Sequence, residues 1–208
     1  MTLETTSVET PLRIVVLSGG IGQPSSTRLL GDRLADAVRT QLGAQGRRAT
    51  VEVIELREHA TDVARFLTSA IESDQLREAK QQVIDADALV VVTPVFNAGV
   101  AGLVKSFLDL FTADDLGGMP VLLGATGGTA RHSMVIDHGL RPVTSHLRMW
   151  AVPTGVFVAT EEWGATGGPN ERIARAAGEL VDLLVRTPRR QVVDPYEDVT
   201  PFAQMLGG

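Results

Sequence analysis

Five short apolar runs alternate with amphipathic helical patterns along this 208-residue chain. The strand-like runs are 12–18, 50–56, 88–92, 120–125 and 152–159, and helical patterns cover 25–42, 60–71, 74–84, 100–111, 133–147 and 170–186. The run 88–92 is continuously apolar and rich in valine, which is typical of a central strand covered on both faces, and Pro94 is expected to end it. The alternation predicts a doubly wound α/β fold, with a five-stranded parallel sheet in a three-layer α/β/α arrangement.

Composition excludes several classes of function. The net charge of −6 and the pI near 5.2 argue against a nucleic-acid partner. The chain has no cysteine, which rules out disulfides, thiol nucleophiles and thiolate-held metal clusters. The spacing of His132, His138 and His146 does not form a metal-binding pair on a helix, so we predict no metal site. If the chain transfers electrons, a bound organic cofactor must carry them.

The chain is expected to form one domain over residues 11–187. The polar, acidic residues 1–10 are interpreted as a flexible leader, since a signal peptide would be basic and then apolar. No apolar run approaches the roughly 20 residues that span a bilayer. We therefore expect a cytoplasmic protein without membrane contact. Residues 188–208 are expected to form a tail that packs on the domain or on a partner subunit.

The loop after the first strand carries the main functional prediction. Strand, hydroxyl-rich loop and helix start follow one another from Ser18 to Arg28. A helix start presents unpaired N–H groups and a positive dipole, so this loop suits a phosphate. A plain helix cap made by Ser25 or Ser26 explains the same residues equally well. The loop lacks the third glycine of the dinucleotide fingerprint and the Gly-Lys-Ser/Thr of a P-loop.

Two further loops follow the central strand and the strand at 120–125. The first, 93–99, contains Pro94 and Asn97 and can present polar groups to a flat heterocycle, although Asn97 can equally cap the next helix. The second, 125–129, has the pair Gly127-Gly128, which allows close backbone approach or simply a turn of positive φ. Because ligands bind at the carboxyl ends of strands in open α/β sheets, the three loops together predict a mononucleotide site that fits FMN.

Three segments also resemble a known family: SGGIGQPSSTRLL, TPVFNAGVAGLVKSFLDL and ATGGTARHSMVIDHGLRPV. From about residue 12 to 184 the chain is similar to the flavodoxin-like NADPH-dependent FMN reductases of the sulfonate-utilisation type. It is most similar to an actinobacterial branch that accompanies luciferase-like flavin monooxygenases. The resemblance implies a flavodoxin-like fold. It also implies a phosphate site at Ser18, Ser26, Thr27 and Arg28 and an isoalloxazine site at 94–97 with Gly127 and Gly128. The candidate flavin-binding residues are Ser18, Gly19, Ser25, Ser26, Thr27, Arg28, Pro94, Val95, Phe96, Asn97, Thr126, Gly127 and Gly128.

The sequence thus predicts an NAD(P)H-dependent FMN reductase. Its cofactors would be FMN and NADPH or NADH, and its reduced flavin would serve a monooxygenase. Hydride transfer from nicotinamide to flavin N5 needs positioning rather than a catalytic side chain, and the sequence shows no catalytic dyad. A homodimer or homotetramer is expected, because the family tends to assemble and the pattern 99–110 is apolar on more than one side. The alternatives are a quinone or azo reductase with bound FMN, a flavodoxin-like electron carrier, and a nucleotide-responsive binding protein.

Overall fold

The computed structural model describes residues 10–165 and 168–188. Residues 1–9 of the expected leader and residues 189–208 of the expected tail lie outside the described residues, and the domain limits stay a prediction. The strands are β1 (Leu12–Ser18), β2 (Ala49–Glu55), β3 (Ala88–Phe96), β4 (Gly99–Val100), β5 (Pro120–Gly127), β6 (Trp150–Ala151) and β7 (Val156–Ala159).

Parallel pairing joins the main strands in the order β2-β1-β3-β5, and β6 and β7 both pair with β5 on its far side. The last two strands therefore share one position, and the sheet is five strands wide. This is the strand order of the flavodoxin-like doubly wound fold. The predicted fold class is confirmed.

Helices cover both faces of the sheet. They are α1 (Ser26–Ala44), α2 (Ala60–Ser69), α3 (Asp74–Ile84), α4 (Gly102–Leu108), α5 (Ala113–Leu116), α6 (Arg141–His146) and α7 (Asn170–Arg186). Single-turn 3₁₀ segments lie at Leu56–His59, Ala130–His132 and Thr160–Gly164, and a π-helical turn at Ile136–Leu140 leads into α6. No helix among the described residues is long and apolar enough to cross a membrane.

The side chains of each buried strand point alternately to the two faces of the sheet, which gives the protein two hydrophobic cores. Ile14 and Val16 of β1 face a core that includes α1 and α7, while Val15 and Leu17 face a core that includes α3, α4 and α6. Successive strand side chains point to opposite faces, so a strand buried on both sides must be apolar at every position. This is the pattern that the sequence shows at residues 88–92 of β3, all of which are buried.

The expected end of β3 at Pro94 and the expected helix start at residue 100 were both wrong. β3 continues to Phe96, because Pro94 still has Thr126 of β5 beside it, whereas the pairing with β1 stops at Val92. A proline is tolerated where a strand has lost one neighbour. Asn97 and Ala98, with φ of 47° and 64°, then form a two-residue hairpin turn, and β4 pairs antiparallel with β3.

The expected last strand and the expected helix 133–147 are also interrupted. Residues 152–155 separate β6 from β7. At Gly155 an added Cβ would lie 2.6 Å from Ile136 Cγ2, so the break accommodates the π-helical turn. Pro142 is the second residue of α6, which follows the π-helical turn without a gap, so the expected helix changes from π to α hydrogen bonding at the proline.

Candidate functional site

The loop between β1 and α1 ends with a helix cap made by Ser25. Its Oγ accepts a hydrogen bond from the Arg28 N–H at 3.1 Å, and its carbonyl oxygen accepts one from the Leu29 N–H at 3.0 Å. The cap interpretation therefore holds for Ser25. It leaves the first N–H groups of α1, at Ser26 and Thr27, without an acceptor in the helix. These two groups and the exposed Ser26 hydroxyl stay available to an anion.

Ser18 brings a buried, unpartnered hydroxyl to the end of β1. The residue is fully buried, and its Oγ has no hydrogen-bond partner among the described residues. The two glycines that follow pack against the protein. An added Cβ would lie 2.2 Å from Val104 Cγ2 at Gly19 and 2.0 Å from Ser25 Oγ at Gly20. The loop is thereby held close to α4 and to its own cap, with the orphaned hydroxyl beside it.

Arg28 lies between two carboxylates. Its Nε donates to Asp32 Oδ1 at 2.8 Å, and its Nη1 donates to Glu55 Oε1 at 2.7 Å. These hydrogen bonds, that to Asp32 first, outweigh partial burial and raise the pKa of Arg28 above its ordinary value. The positive charge predicted for a phosphate is thus compensated within the protein. An anion bound here would therefore depend on the neutral N–H and hydroxyl donors of the loop more than on the Arg28 charge.

The same network reaches the tip of the loop. Glu55 Oε2 lies 3.5 Å from Arg57 Nε. With the Gln23 amide oriented so that its oxygen faces Arg57, that oxygen lies 2.5 and 2.6 Å from the two terminal nitrogens of the guanidinium. The end of β2 therefore holds the loop through Gln23. Glu55 and Arg57 were not among the predicted site residues, because nothing in the sequence places them beside Gln23.

The hairpin of β3 and β4 carries Pro94, Val95 and Phe96 at the end of β3 and Asn97 in the turn. Phe96 is 43% exposed and Asn97 is exposed. Asn97 occupies the hairpin turn, and Ala101 precedes the first residue of α4, so the interpretation of Asn97 as a helix cap was wrong. Thr93 fixes the base of the hairpin. Its Oγ1 donates to the Pro94 carbonyl at 2.8 Å and accepts from the Ala101 N–H at 3.0 Å.

The loop after β5 contains two glycines in different surroundings. At Gly127 an added Cβ would lie 2.9 Å from Phe157 Cζ, whereas at Gly128 it would meet nothing within 4 Å. Neither residue has a positive φ in the left-handed region, so a turn requiring that conformation does not explain the pair. Gly127 serves packing against β7, and Gly128 alone leaves open space beside the backbone.

The structure brings the three loops together at one edge of the sheet. Ser18 pairs with Val92 of β3, and Pro94 pairs with Thr126 of β5, so the three strands end side by side. The hydroxyls of Thr27 and Thr126 are hydrogen-bonded at 2.8 Å in a buried position, which joins the first loop directly to the third. Between β1 and β3 the strand order reverses, and this is where ligands bind in open α/β sheets.

Comparisons with known proteins show the family of the chain. The model of the family described as NADPH-dependent FMN reductase matches residues 12–164. The "NADH-dependent FMN reductase SfnE" of Pseudomonas putida is 42% identical over 185 residues, which cover 85% of this chain and 95% of that protein. An "FMN reductase (NADPH)" of Pseudomonas aeruginosa is 36% identical over 157 residues, covering 74% and 80%. The crystal structure of an oxidoreductase from Corynebacterium diphtheriae has 43% identity and a TM-score of 0.82, covering 86% and 99%.

Proposed function

The chain belongs to the NADPH-dependent FMN reductase family, and from this premise we propose that it reduces FMN at the edge where β1, β3 and β5 end. NADPH or NADH is the electron donor. Relatives that carry either nicotinamide in their names resemble this chain, so the family assignment leaves the choice of donor open. The family assignment favours an enzyme over the two alternatives of an electron carrier and a nucleotide-responsive binding protein.

One observation carries the location of the site: the three loops meet there, and the Thr27–Thr126 hydrogen bond joins the first of them to the third. The phosphate of FMN would lie at the start of α1, held by the N–H groups of Ser26 and Thr27 and by the hydroxyls of Ser18 and Ser26. A buried hydroxyl without a partner is costly, and a phosphate oxygen would satisfy that of Ser18. The residues present therefore fit the group.

The other two loops would hold the flavin ring. Phe96 offers an exposed aromatic face, Asn97 an exposed amide, and Gly128 a stretch of backbone without a side chain in the way. FMN, when bound, supplies the N5 atom that accepts hydride from reduced nicotinamide. The protein contributes positioning. A hairpin locked at its base by Thr93 and a loop tied to α1 by Thr126 hold their backbone groups in fixed places.

We also propose that the reduced flavin passes to a separate monooxygenase and that the protein acts in the cytoplasm as a homodimer or homotetramer. Trp150 on β6, which is exposed and lies outside the proposed site, supports assembly, since large aromatic side chains are enriched at subunit contacts. Light scattering at micromolar concentration tests the assembly, and a monomer would contradict it.

The oxidation of NADPH and NADH at 340 nm, with and without added FMN, tests the proposed reaction. We expect oxidation that depends on FMN. A purified protein that stays yellow and reduces quinones or azo dyes by ping-pong kinetics would instead support the reductase with bound FMN. Absence of nicotinamide oxidation with FMN, FAD or riboflavin would refute the proposal.

A further inference from the structure

A cavity of about 320 Å³ lies beside the proposed flavin loops. One wall is the hairpin, with Ala98, Gly99 and Val100, and the other is the segment 131–139 after β5. Ala98 follows Asn97 directly, and Arg131 comes three residues after Gly128. The cavity is therefore a direct continuation of the two loops assigned to the flavin ring. Its volume suits part of a ligand, at the lower end of the range for small-molecule pockets.

The cavity has a polar side that carries one formal charge. Its lining residues include Arg131, His132 and His138, and they include no carboxylate. Asp137 belongs to the same segment, but its Oδ1 accepts a hydrogen bond from Arg141 Nε at 2.8 Å and is not part of the lining. A guanidinium without a carboxylate in the lining, in a chain of net charge −6, favours an anionic group of the ligand at that place.

Arg131 differs from Arg28 in having no carboxylate partner. Its Nε donates to Thr129 Oγ1 at 2.9 Å, and within residues 10–165 and 168–188 it forms no ion pair. Its side chain is exposed. Arg28, by contrast, is hydrogen-bonded to both Asp32 and Glu55. Among the described residues that line the cavity, Arg131 is the guanidinium that can pair with an incoming anion.

The cavity also has an apolar floor, formed by Val100 and Val135. The backbone at Gly139 approaches Val100 so closely that an added Cβ would lie 2.5 Å from Val100 Cγ2. The π-helical turn is thus packed directly on the hairpin. A fixed apolar floor with a guanidinium at the rim suits a ligand that is partly apolar and partly phosphate.

We propose that this cavity binds the diphosphate end of the reduced nicotinamide dinucleotide, with Arg131 as the residue that pairs with the diphosphate. The inference rests on the proposed function, because it assumes that the nicotinamide ring reaches the flavin loops. NADH and NADPH share the diphosphate, so Arg131 recognises both donors equally. Arg131 is a binding residue for the second substrate and does not contact FMN.

The first experiment compares hydride donors with and without a diphosphate. For Arg131→Ala we expect kcat/KM to fall about tenfold with NADH and with NADPH, the loss of a charge-assisted hydrogen bond at an exposed position. With N-benzyl-1,4-dihydronicotinamide, which lacks the diphosphate, kcat/KM should be unchanged. Arg131→Lys keeps the charge and should restore part of the loss. Arg175→Ala is the control, because Arg175 is exposed and unpaired within the described residues and lies on α7, outside the cavity.

Two kinetic outcomes would overturn the assignment. An equal fall with the truncated donor would mean that Arg131 acts on the flavin or on the fold. A fall with NADPH alone would mean that it contacts the 2′-phosphate and not the diphosphate. If the wild-type protein oxidises neither nicotinamide in the presence of flavin, the proposed function itself fails.

A binding measurement tests the cavity independently of turnover. Titration calorimetry of the flavin-free protein with ADP-ribose, which has the diphosphate but no nicotinamide, should give a Kd that rises about tenfold in Arg131→Ala and stays unchanged in Arg175→Ala. A Kd for ADP-ribose that does not depend on Arg131, or no binding to the wild type at millimolar concentration, would refute the diphosphate site even if FMN reduction is observed.

Discussion

The hydrogen bond between Thr27 and Thr126 can be tested by replacing each hydroxyl with a methyl group. Both residues are nearly fully buried, and their Oγ1 atoms lie 2.8 Å apart across 99 residues of chain. Valine has the shape of threonine, so Thr27→Val removes one hydroxyl and leaves the other buried and unpaired. We expect each single substitution to lower the free energy of unfolding by about 1–3 kcal/mol.

The double substitution should cost much less than the sum of the two. With both hydroxyls gone, no buried polar group lacks a partner, and the change in the free energy of unfolding should be close to zero. The coupling energy of the double-mutant cycle should therefore be about 2–6 kcal/mol in magnitude, the sum of the two single effects. Urea unfolding without added FMN measures it. With an m-value of about 3 kcal/mol per M, a loss of ~2 kcal/mol lowers the midpoint by about 0.7 M. If the two single effects simply add, the reasoning is refuted.

Three further predictions concern the loops and one ion pair. Gly127→Ala should lower the free energy of unfolding by about 1–3 kcal/mol, because the added Cβ would clash with Phe157. Gly128→Ala should change that free energy by less than about 0.5 kcal/mol but weaken FMN binding, and equal effects of the two variants on stability and on binding would contradict their separate roles. Ser26→Ala removes a hydroxyl assigned to the phosphate and should weaken FMN binding by about 1 kcal/mol, and an unchanged flavin titration would remove that assignment. Burial raises the pKa of Glu162, but the Ala159 N–H and Arg172 outweigh it and hold that pKa below its ordinary value. The carboxylate therefore stabilises the fold above pH about 4.5, and this stabilisation is lost as the pH falls through the depressed pKa. When the free energy of unfolding is measured from pH 7 to pH 3, Glu162→Gln should show a smaller loss at acid pH than the wild type. The same pH profile in both proteins would contradict the prediction.

The sequence predicted the fold well where local pattern and tertiary structure agree. The limits of β1, α3 and α7 match the predicted 12–18, 74–84 and 170–186. The first is an apolar run that ends at a glycine pair, and the other two have apolar residues at helical spacing with clear boundaries. Ser73, for example, caps α3 by accepting from the Leu76 N–H at 3.1 Å. The prediction went wrong at Pro94, where pairing with β5 extends a strand that local propensity would end.

The candidate site was predictable in outline only. The carboxyl ends of parallel strands share one edge, so the meeting of the three loops followed from the strand pattern. The compensation of Arg28 by Glu55 joins residues 27 positions apart, and no local pattern indicates it. The Asn97 turn was also missed, because a two-residue hairpin is recognised only when the strand after it is seen, and β4 has two residues.

The two outer margins of the sheet have a consequence for behaviour at high concentration. An exposed strand margin can template addition of another chain, and proteins suppress this with charge or with short, interrupted strands. On one side β2 shows Glu52 to solvent, and on the other β6 is only two residues long and is cut off from β7 by residues 152–155. Neither margin offers a long, flat, uncharged template. Concentrated solutions of the folded protein should therefore resist strand-mediated fibril growth.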